Sequence, residues 1–129
     1  MTNKISFKKD SIYFQYDVSD IERAKKFYNE TFGFEIAWEG GTEVGWCELA
    51  LPVNGAKLGL NLKREGDITP GSGTLTFDVT NLDATKSYLE SKDVKTTEIT
   101  DIPEMVSYFD CYDSEGNRIQ IVSEPRVKS

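Results

Sequence analysis

A turn followed by a short alternating strand occurs twice in this chain, and this repeat most constrains the fold. The clearer copy is DSEGNRIQIV at residues 113–122, and a shorter copy, NGAKLGL, spans residues 54–60. Their glycines, Gly55 and Gly116, are 61 residues apart, and the aliphatic residues that follow align at the same offset. Glycine permits the positive φ of a tight turn, and a strand sends alternate side chains to opposite faces. Each copy therefore predicts one aliphatic core face and one face that is available for chemistry.

The offset of 61 residues extends upstream to a strand and the start of a helix. Residues 11–18, SIYFQYDV, alternate as a strand whose even-numbered side chains form the apolar face. Ser19 opens a Ser-x-x-Glu capping box that begins an amphipathic helix, and Gly33 is a natural end for it. Residues 74–79 and Thr80 repeat the strand and the cap.

Further alternating stretches complete a β-α-β-β-β order in each half. They lie at residues 34–38, 43–51 and 57–63 in the first half, and at 94–99, at 106–112 and after Gly116 in the second. A single such unit leaves one sheet face bare, whereas two units can share a core and enclose a cleft. The predicted fold is therefore α+β, with two βαβββ modules in tandem that form curved mixed sheets around a cleft.

The same pattern predicts the boundaries of the domain and its modules. An N-terminal arm covers residues 1–10, a single domain covers 11–124, and a polar tail covers 125–129. Within the domain, module one covers 11–63, a linker with turn chemistry covers 64–72, and module two covers 73–124.

Composition and charge exclude several classes of function. The 129 residues suit one domain, and a net charge of −7 with a pI near 4.6 argues against binding to a nucleic-acid backbone. No apolar run has the length of a signal peptide or a membrane span, so no membrane partner is expected and the predicted location is the cytoplasm. The chain has no histidine, which removes catalytic triads and histidine-based metal sites. Cys47 and Cys111 lie in predicted strands and are expected to be small buried residues.

Three segments give the chain a resemblance to a known family. They are VSDIERAKKFYNETFGFE after the first strand, VTNLDATKSYL after the fifth strand and YDSEGNRIQI near the end. In these segments the chain resembles the vicinal oxygen chelate superfamily, also called the glyoxalase, bleomycin-resistance and extradiol-dioxygenase superfamily. The family's usual last turn is Asp-Pro-x-Gly-Asn, and Ser114 stands in place of the proline. The resemblance covers residues 11–124 and implies the same repeated βαβββ unit.

The resemblance also implies four positions at which metal-dependent members bind a divalent ion. In this chain these positions carry Tyr13, Gly59, Thr74 and Gln120, and only Gln120 has a side chain of the ligand type. One neutral amide does not offset the dehydration of such an ion. The chain is therefore more similar to the metal-free binders of the bleomycin-resistance type, and no cofactor and no metal ligand are expected. Such members are commonly dimers, which implies a homodimer with a small-molecule ligand.

Strand alternation and the family pattern together predict a ligand-binding surface. Its residues are Tyr13, Gln15, Trp38, Trp46, Glu48, Phe109 and Gln120. The tryptophans offer flat faces for stacking on a planar ligand, and Glu48 is the candidate catalytic base or the partner of a cationic ligand group. The 61-residue offset assigns Phe109 to the cleft and turns Tyr108 and Tyr112 toward the helix.

The main candidates also have structural alternatives. The tryptophans can instead fill a collapsed cavity, and Trp38, near a hairpin turn, suits a dimer interface. Glu48 can be a solvated charge at the mouth of the sheet, and Gln120 can satisfy backbone groups near the cleft floor.

Three functions remain open at this point. The leading hypothesis is a metal-independent small-molecule-binding protein that sequesters a toxic or reactive compound. The alternative is an enzyme: a lactoylglutathione-lyase-like lyase or isomerase, or a relative of the dioxygenases, with an unusual metal site, or a metal-free enzyme with Glu48 as base. A structural or regulatory dimer is the third hypothesis, and it predicts a cleft filled by the protein's own side chains.

Overall fold

The chain divides into two compact units, which contain module one and module two. A computed structural model describes residues 12–66, 68 and 74–128, and the units are Met1–Lys63 and Arg64–Ser129. The predicted N-terminal arm and Ser11 lie outside the described residues, as do residues 67 and 69–73.

Within its described residues, module one contains four strands and two helices. In chain order they are β1 (Ile12–Val18), α1 (Ile21–Phe32), β2 (Ile36–Glu39), α2 (Gly41–Val44), β3 (Trp46–Ala50) and β4 (Ala56–Leu62). The order of strands in the sheet is β1-β4-β3-β2, with β1 parallel to β4 and the other neighbours antiparallel. The first strand of the module therefore lies beside the last.

The described part of module two repeats this arrangement with four strands and one helix. They are β5 (Leu75–Asp78), α3 (Leu82–Ser91), β6 (Thr100–Ile102), β7 (Val106–Tyr112) and β8 (Arg118–Ser123). The order in the sheet is β5-β8-β7-β6, again with the first strand parallel to the last. The predicted α+β fold with two βαβββ modules is thus confirmed.

The core of module one forms where α1 packs on β3 and β4. The apolar residues of α1 recur at helical spacing, and Ile21, Ala24 and Tyr28 are buried. On the sheet side Leu58 and its alternate neighbour on β4 are fully buried. Burial of a side chain of this size contributes about 1.5–3 kcal/mol.

The core of module two has the same construction around α3 and β8. Leu82 and Leu89 are the buried residues of the helix, and Ile119 and Ile121 are buried on the strand. In the parts of the chain that are described, no helix is long and apolar enough to cross a membrane.

The helix caps lie one residue later than the sequence pattern predicts. Helix α1 is capped by Asp20, whose Oδ1 accepts a hydrogen bond of 3.0 Å from the backbone N–H three residues on. Asn81 caps α3 in the same way, at 2.9 Å. The prediction of Ser19 and Thr80 is therefore wrong, although the true caps are also 61 residues apart. Two adjacent residues of each module could act as a cap, and the carboxylate and the amide take that position.

Two predicted strands are also wrong in part. The strand predicted at residues 43–51 begins only at Trp46, because Gly41–Val44 form a single helical turn between glycines of positive φ. Residues 94–99 form one isolated bridge to β7, and the edge strand lies at Thr100–Ile102. The stretch 94–99 is mostly polar, so its weak alternation does not drive strand formation.

Strand β1 is buried only over its second half. Tyr16 and Val18 are buried as predicted, but Ile12 is 55% exposed and Phe14 is 45% exposed. The prediction of one continuous apolar core face is wrong for these two residues. Strand β1 lies at the edge of the sheet, whereas α1 packs over β3 and β4.

The repeated turns have the predicted glycine geometry. Gly55 and Gly116 have φ values of 82° and 84°. In the second turn the buried carboxylate of Asp113 accepts hydrogen bonds from the backbone of Glu115 at 2.9 Å and Asn117 at 2.7 Å, and one of 3.0 Å from the Asn117 side chain. These bonds hold the turn with Ser114 in the place of proline.

The C-terminal tail is held on module two by one arginine. Arg126 donates two hydrogen bonds to the carboxylate of Asp101, at 2.9 and 2.6 Å, and one of 2.6 Å to Asp83 on α3. The buried hydroxyl of Ser107 completes the group, because it donates to Asp101 at 2.6 Å and accepts from the backbone N–H of Arg126 at 2.9 Å. These four residues, the tail clasp, connect the tail to a helix and two strands.

The tail clasp predicts a specific acid sensitivity. The hydrogen bond from Arg126, and then that from Ser107, lowers the pKa of Asp101 from an ordinary value of 3.8 to about 2. Because the folded-state pKa is the lower one, this stabilisation is complete above the ordinary pKa and is lost as the pH falls toward 2. We expect Arg126→Gln to lower Tm at pH 7 and to reduce the further fall of Tm between about pH 5 and 2.

The measurement is a series of thermal melts by circular dichroism against pH. Lys128→Gln removes the same charge from the same tail outside the clasp and should keep the wild-type profile. Parallel pH profiles for wild type and Arg126→Gln would contradict the assignment of this acid sensitivity to the clasp.

The capping geometry gives a second prediction. Asp20→Ala should destabilise the protein by about 1 kcal/mol, because one N–H of the first turn loses its acceptor. Ser19→Ala, the matched neighbour, should change the free energy of unfolding by only a few tenths of a kcal/mol. Urea unfolding at neutral pH measures both values, and a larger loss for Ser19→Ala would restore the cap predicted from the sequence.

Candidate functional site

The sheet of module one has a second face, opposite the core. Gln15 pairs with Gly59, and Gly59 with Glu48, so these three residues lie on the face opposite Leu58. The open face of module one consists of Gly59 and five of the seven predicted site residues: Tyr13, Gln15, Trp38, Trp46 and Glu48. The structure therefore brings most of the predicted surface together within one module.

Trp46 is fixed at the centre of this face. A Cβ atom on Gly59 would overlap the six-membered ring of Trp46, so the indole lies directly against the backbone of β4. The indole Nε1 donates a hydrogen bond of 2.9 Å to Oε2 of Glu48 on the same strand. The missing side chain at Gly59 and the carboxylate of Glu48 together set the orientation of the ring.

Two more aromatic side chains lie around this centre and reach solvent. Trp38 is 49% exposed, and its ring lies against Gly40. Tyr13 is 48% exposed, with the ammonium of Lys57 5.3 Å from its ring centroid. Such side chains offer large rigid contact areas at low entropic cost.

Polar groups border the aromatic surface along β1. Gln15 is exposed beside Gly59, and Asp17 accepts a hydrogen bond of 3.0 Å from Asn61 one rung further along. The face therefore combines apolar area with a few fixed polar groups, as ligand pockets usually do.

Module two has an equivalent face, which contains Gln120 but not Phe109. Gln120 pairs with Thr76 and Asp110, and these residues with Tyr108 and Tyr112 form the open face of module two. Phe109 is fully buried and pairs with Ile121 of the core. The side that the sequence pattern assigns to Phe109, and to the two tyrosines, is wrong.

The cause is a change of one residue in the repeat. Glu48 pairs with Gly59 in module one, and Asp110 pairs with Gln120 in module two, so the offset is 62 for β7 and 61 for β8. A shift of one residue turns a whole strand over. The connection from β7 to β8 is one residue shorter than that from β3 to β4, and the 61-residue offset does not include this difference.

Asp110 is the residue of this face that the sequence analysis missed. Oδ2 of Asp110 lies 3.6 Å from Nη1 of Arg118, whereas its Oδ1 is buried without a hydrogen-bond partner. Aligning the alternation of β7 with that of β8, instead of with module one, would have placed Asp110 beside Gln120.

The residues at the four family metal positions do not fit a divalent ion. Gly59 has no side chain and is covered by Trp46, and the hydroxyl of Thr74 accepts two hydrogen bonds from Arg118, at 2.8 and 3.2 Å. Tyr13 has a lysine over its ring. Among the described residues, no group of three or more Cys, Asp or Glu side chains is arranged to hold a metal ion.

The two cysteines are buried in the cores, as predicted. Burial is the main cause that raises the pKa of Cys47 to about 11 and that of Cys111 to about 12. Both therefore stay protonated at neutral pH, which does not favour a role as a nucleophile.

The contact between Gly59 and Trp46 can be tested by one methyl group. Gly59→Ala should destabilise the protein by about 1–3 kcal/mol, because the indole must move and its hydrogen bond to Glu48 is lost. In a Trp46→Val background the same change should cost much less, so the two substitutions are coupled. Urea unfolding of the four proteins measures the coupling, and additive effects would show that the ring does not depend on Gly59.

Comparisons with known proteins agree with this architecture. The profile of the Glyoxalase/Bleomycin resistance protein/Dioxygenase superfamily matches residues 12–121. The comparison with curated proteins finds no match. One similar structure is TnmS3, an antibiotic binding protein from Streptomyces sp. CB03234, with 27% identity, a TM-score of 0.74 and coverage of 95% of this chain and 99% of that chain.

Two further structures share the fold at lower identity. A member of the same superfamily from Sphaerobacter thermophilus DSM 20745 is 21% identical, with a TM-score of 0.74 and coverage of 93% of this chain and 98% of its own. Lactoylglutathione lyase from Agrobacterium tumefaciens is 16% identical, with a TM-score of 0.71 and coverage of 90% and 94%. The repeated βαβββ modules and the profile match together show that this chain belongs to the Glyoxalase/Bleomycin resistance protein/Dioxygenase superfamily.

Proposed function

We propose that this protein binds a small molecule without a metal ion and that a planar, largely apolar ligand stacks on the open face of module one. The observation that carries this proposal is the fixed indole of Trp46 between Gly59 and Glu48, with the exposed rings of Trp38 and Tyr13 on the same face. A surface of this kind favours sequestration of a toxic or reactive compound over its conversion.

Preorganisation supports this use of Trp46. An aromatic ring that is already held in one orientation loses little conformational entropy when a ligand stacks on it. The contact with Gly59 and the hydrogen bond to Glu48 are both made within module one. The ring is therefore ready to bind before a ligand arrives.

The polar groups of the face favour binding over catalysis. Glu48 accepts the hydrogen bond of Trp46 through Oε2, so its first role is to position the ring. Gln15, on the other side of Gly59, offers an amide for orienting a ligand. Neither residue has a partner base or nucleophile among its strand neighbours on this face.

The donor set supports independence from metal. At the family metal positions Gly59 offers no donor, and the Thr74 hydroxyl already accepts from Arg118. A hard divalent ion needs several charged oxygen ligands to replace its water. The similar protein TnmS3, described as an antibiotic binding protein, gives an independent reason to consider a binding role.

The test combines metal removal with a pair of matched ligands. After EDTA treatment, 2-naphthol should bind by isothermal calorimetry and quench tryptophan fluorescence, whereas its saturated counterpart 2-decalol should bind at least about tenfold more weakly, because it cannot stack. Trp46→Leu should abolish this difference. Lys128→Gln, far from the face in sequence and in the other module, should retain it.

Two outcomes would contradict the proposal. Equal affinities for the two compounds would remove the stacking role of the face. A stoichiometric rise in Tm with Mg²⁺, Mn²⁺, Ni²⁺, Zn²⁺ or Co²⁺ would show that a metal belongs to the native state and would redirect attention to lyase assays.

A further inference from the structure

The central rows of the two open faces carry different chemistry. In each sheet the central row crosses the first strand, the last strand and the neighbour of the last strand. In module one it consists of Gln15, Gly59 and Glu48. In module two it consists of Thr76, Gln120 and Asp110.

The carboxylates of these rows differ in what they accept. Glu48 accepts from the indole N–H of Trp46, two residues earlier on the same strand. The equivalent of Trp46 in module two is Tyr108, whose only donor is the hydroxyl at the far end of its ring. Oδ1 of Asp110 is left buried without a hydrogen-bond partner, and it is the only such side-chain atom in the described part of the chain.

An unpaired buried acceptor needs a physical explanation. Leaving such an atom without a donor costs about 1–3 kcal/mol, and native structures contain few of them. The side chain of Asp110 is 19% exposed, so the carboxylate lies near the surface of the open face. Rotation about χ2, which is soft for aspartate, can present the unpaired oxygen to a donor that arrives from that side.

The neighbours of Asp110 define the chemistry of that donor. The guanidinium of Arg118, 3.6 Å away, balances the charge of the carboxylate, which favours a neutral ligand over a cation. Gln120, directly across the strand pair, carries an amide that both donates and accepts. Thr76 follows on the next strand, with its hydroxyl 3.5 Å from Oε1 of Gln120.

We propose that the central row of module two recognises a neutral ligand edge in which an N–H donor stands beside a carbonyl, as in a lactam, a cyclic amide or a urea. The ligand N–H donates to Asp110, and its carbonyl accepts from the side-chain amide of Gln120. This assignment rests on the proposed function only in that the protein binds small molecules, and it concerns a different module from the stacking surface.

The test uses two probes that differ by one methyl group. The ¹⁵N-labelled full chain is titrated with 2-pyridone and with N-methyl-2-pyridone to about 10 mM, since fragments of this size bind with about millimolar affinity. 2-Pyridone should shift the backbone amides of Asp110, Gln120 and Thr76. N-Methyl-2-pyridone lacks the N–H and should bind about tenfold more weakly.

Substitutions at two acids of the same face provide the controls. Asp110→Leu should abolish the shifts caused by 2-pyridone and should leave Tm unchanged or raise it, because an apolar side chain replaces an unpaired acceptor. Asp110→Asn keeps the shape of the side chain and should weaken binding while the fold is retained. Asp78→Leu makes the same change at an exposed acid on β5 and should leave 2-pyridone binding at the wild-type level.

Several results would overturn this proposal. They are equal shifts with the two probes, wild-type binding by Asp110→Leu and Asp110→Asn, or no shift in β7 and β8 up to the highest concentration. A lower Tm for both Asp110 variants without any effect of the probes would mean that Oδ1 serves the fold by accepting from a fixed water. Shifts confined to Trp38 and Trp46 would also refute it, while the proposed stacking on module one would stand.

Discussion

Parallel pairing of the first and last strands is the constraint on which each module depends. Gln15 meets Gly59 in module one, and Thr76 meets Gln120 in module two. Two parallel strands cannot be joined by a tight turn, so a helix and two further strands must come between them. The helix covers one face of the sheet, and the other face is left for function. The repeated glycine turn before each last strand sets where this pairing begins, and for this reason it is the clearest signal in the sequence.

Much of the fold and half of the chemistry follow from patterns that the sequence displays. The two modules, the turns and the cluster around Trp46 could be predicted, because strand alternation decides which side chains share a face. The details that failed are local competitions between similar neighbours. Asp20 takes the cap from Ser19 because both have a side-chain acceptor, and periodicity does not distinguish them.

The failure at Phe109 has a different origin. The repeat was extended from β8 to β7 with one offset, although the connection between those strands is one residue shorter than its counterpart. Strand register is a pairing property, and an offset along the chain does not determine it. Asp110 was missed for the same reason, since it occupies the face that the offset gave to Phe109. The unpaired state of its Oδ1 is a three-dimensional fact that no residue pattern reports.

The fixed indole of Trp46 also has an optical consequence. A ring held against Gly59 and hydrogen-bonded to Glu48 is a chromophore in one asymmetric environment, whereas Trp38 projects half into solvent. The near-ultraviolet circular dichroism of this protein should therefore come mainly from one of its two tryptophans. The protein thus contains an internal spectroscopic marker of the packing of module one, which can be followed without an attached label.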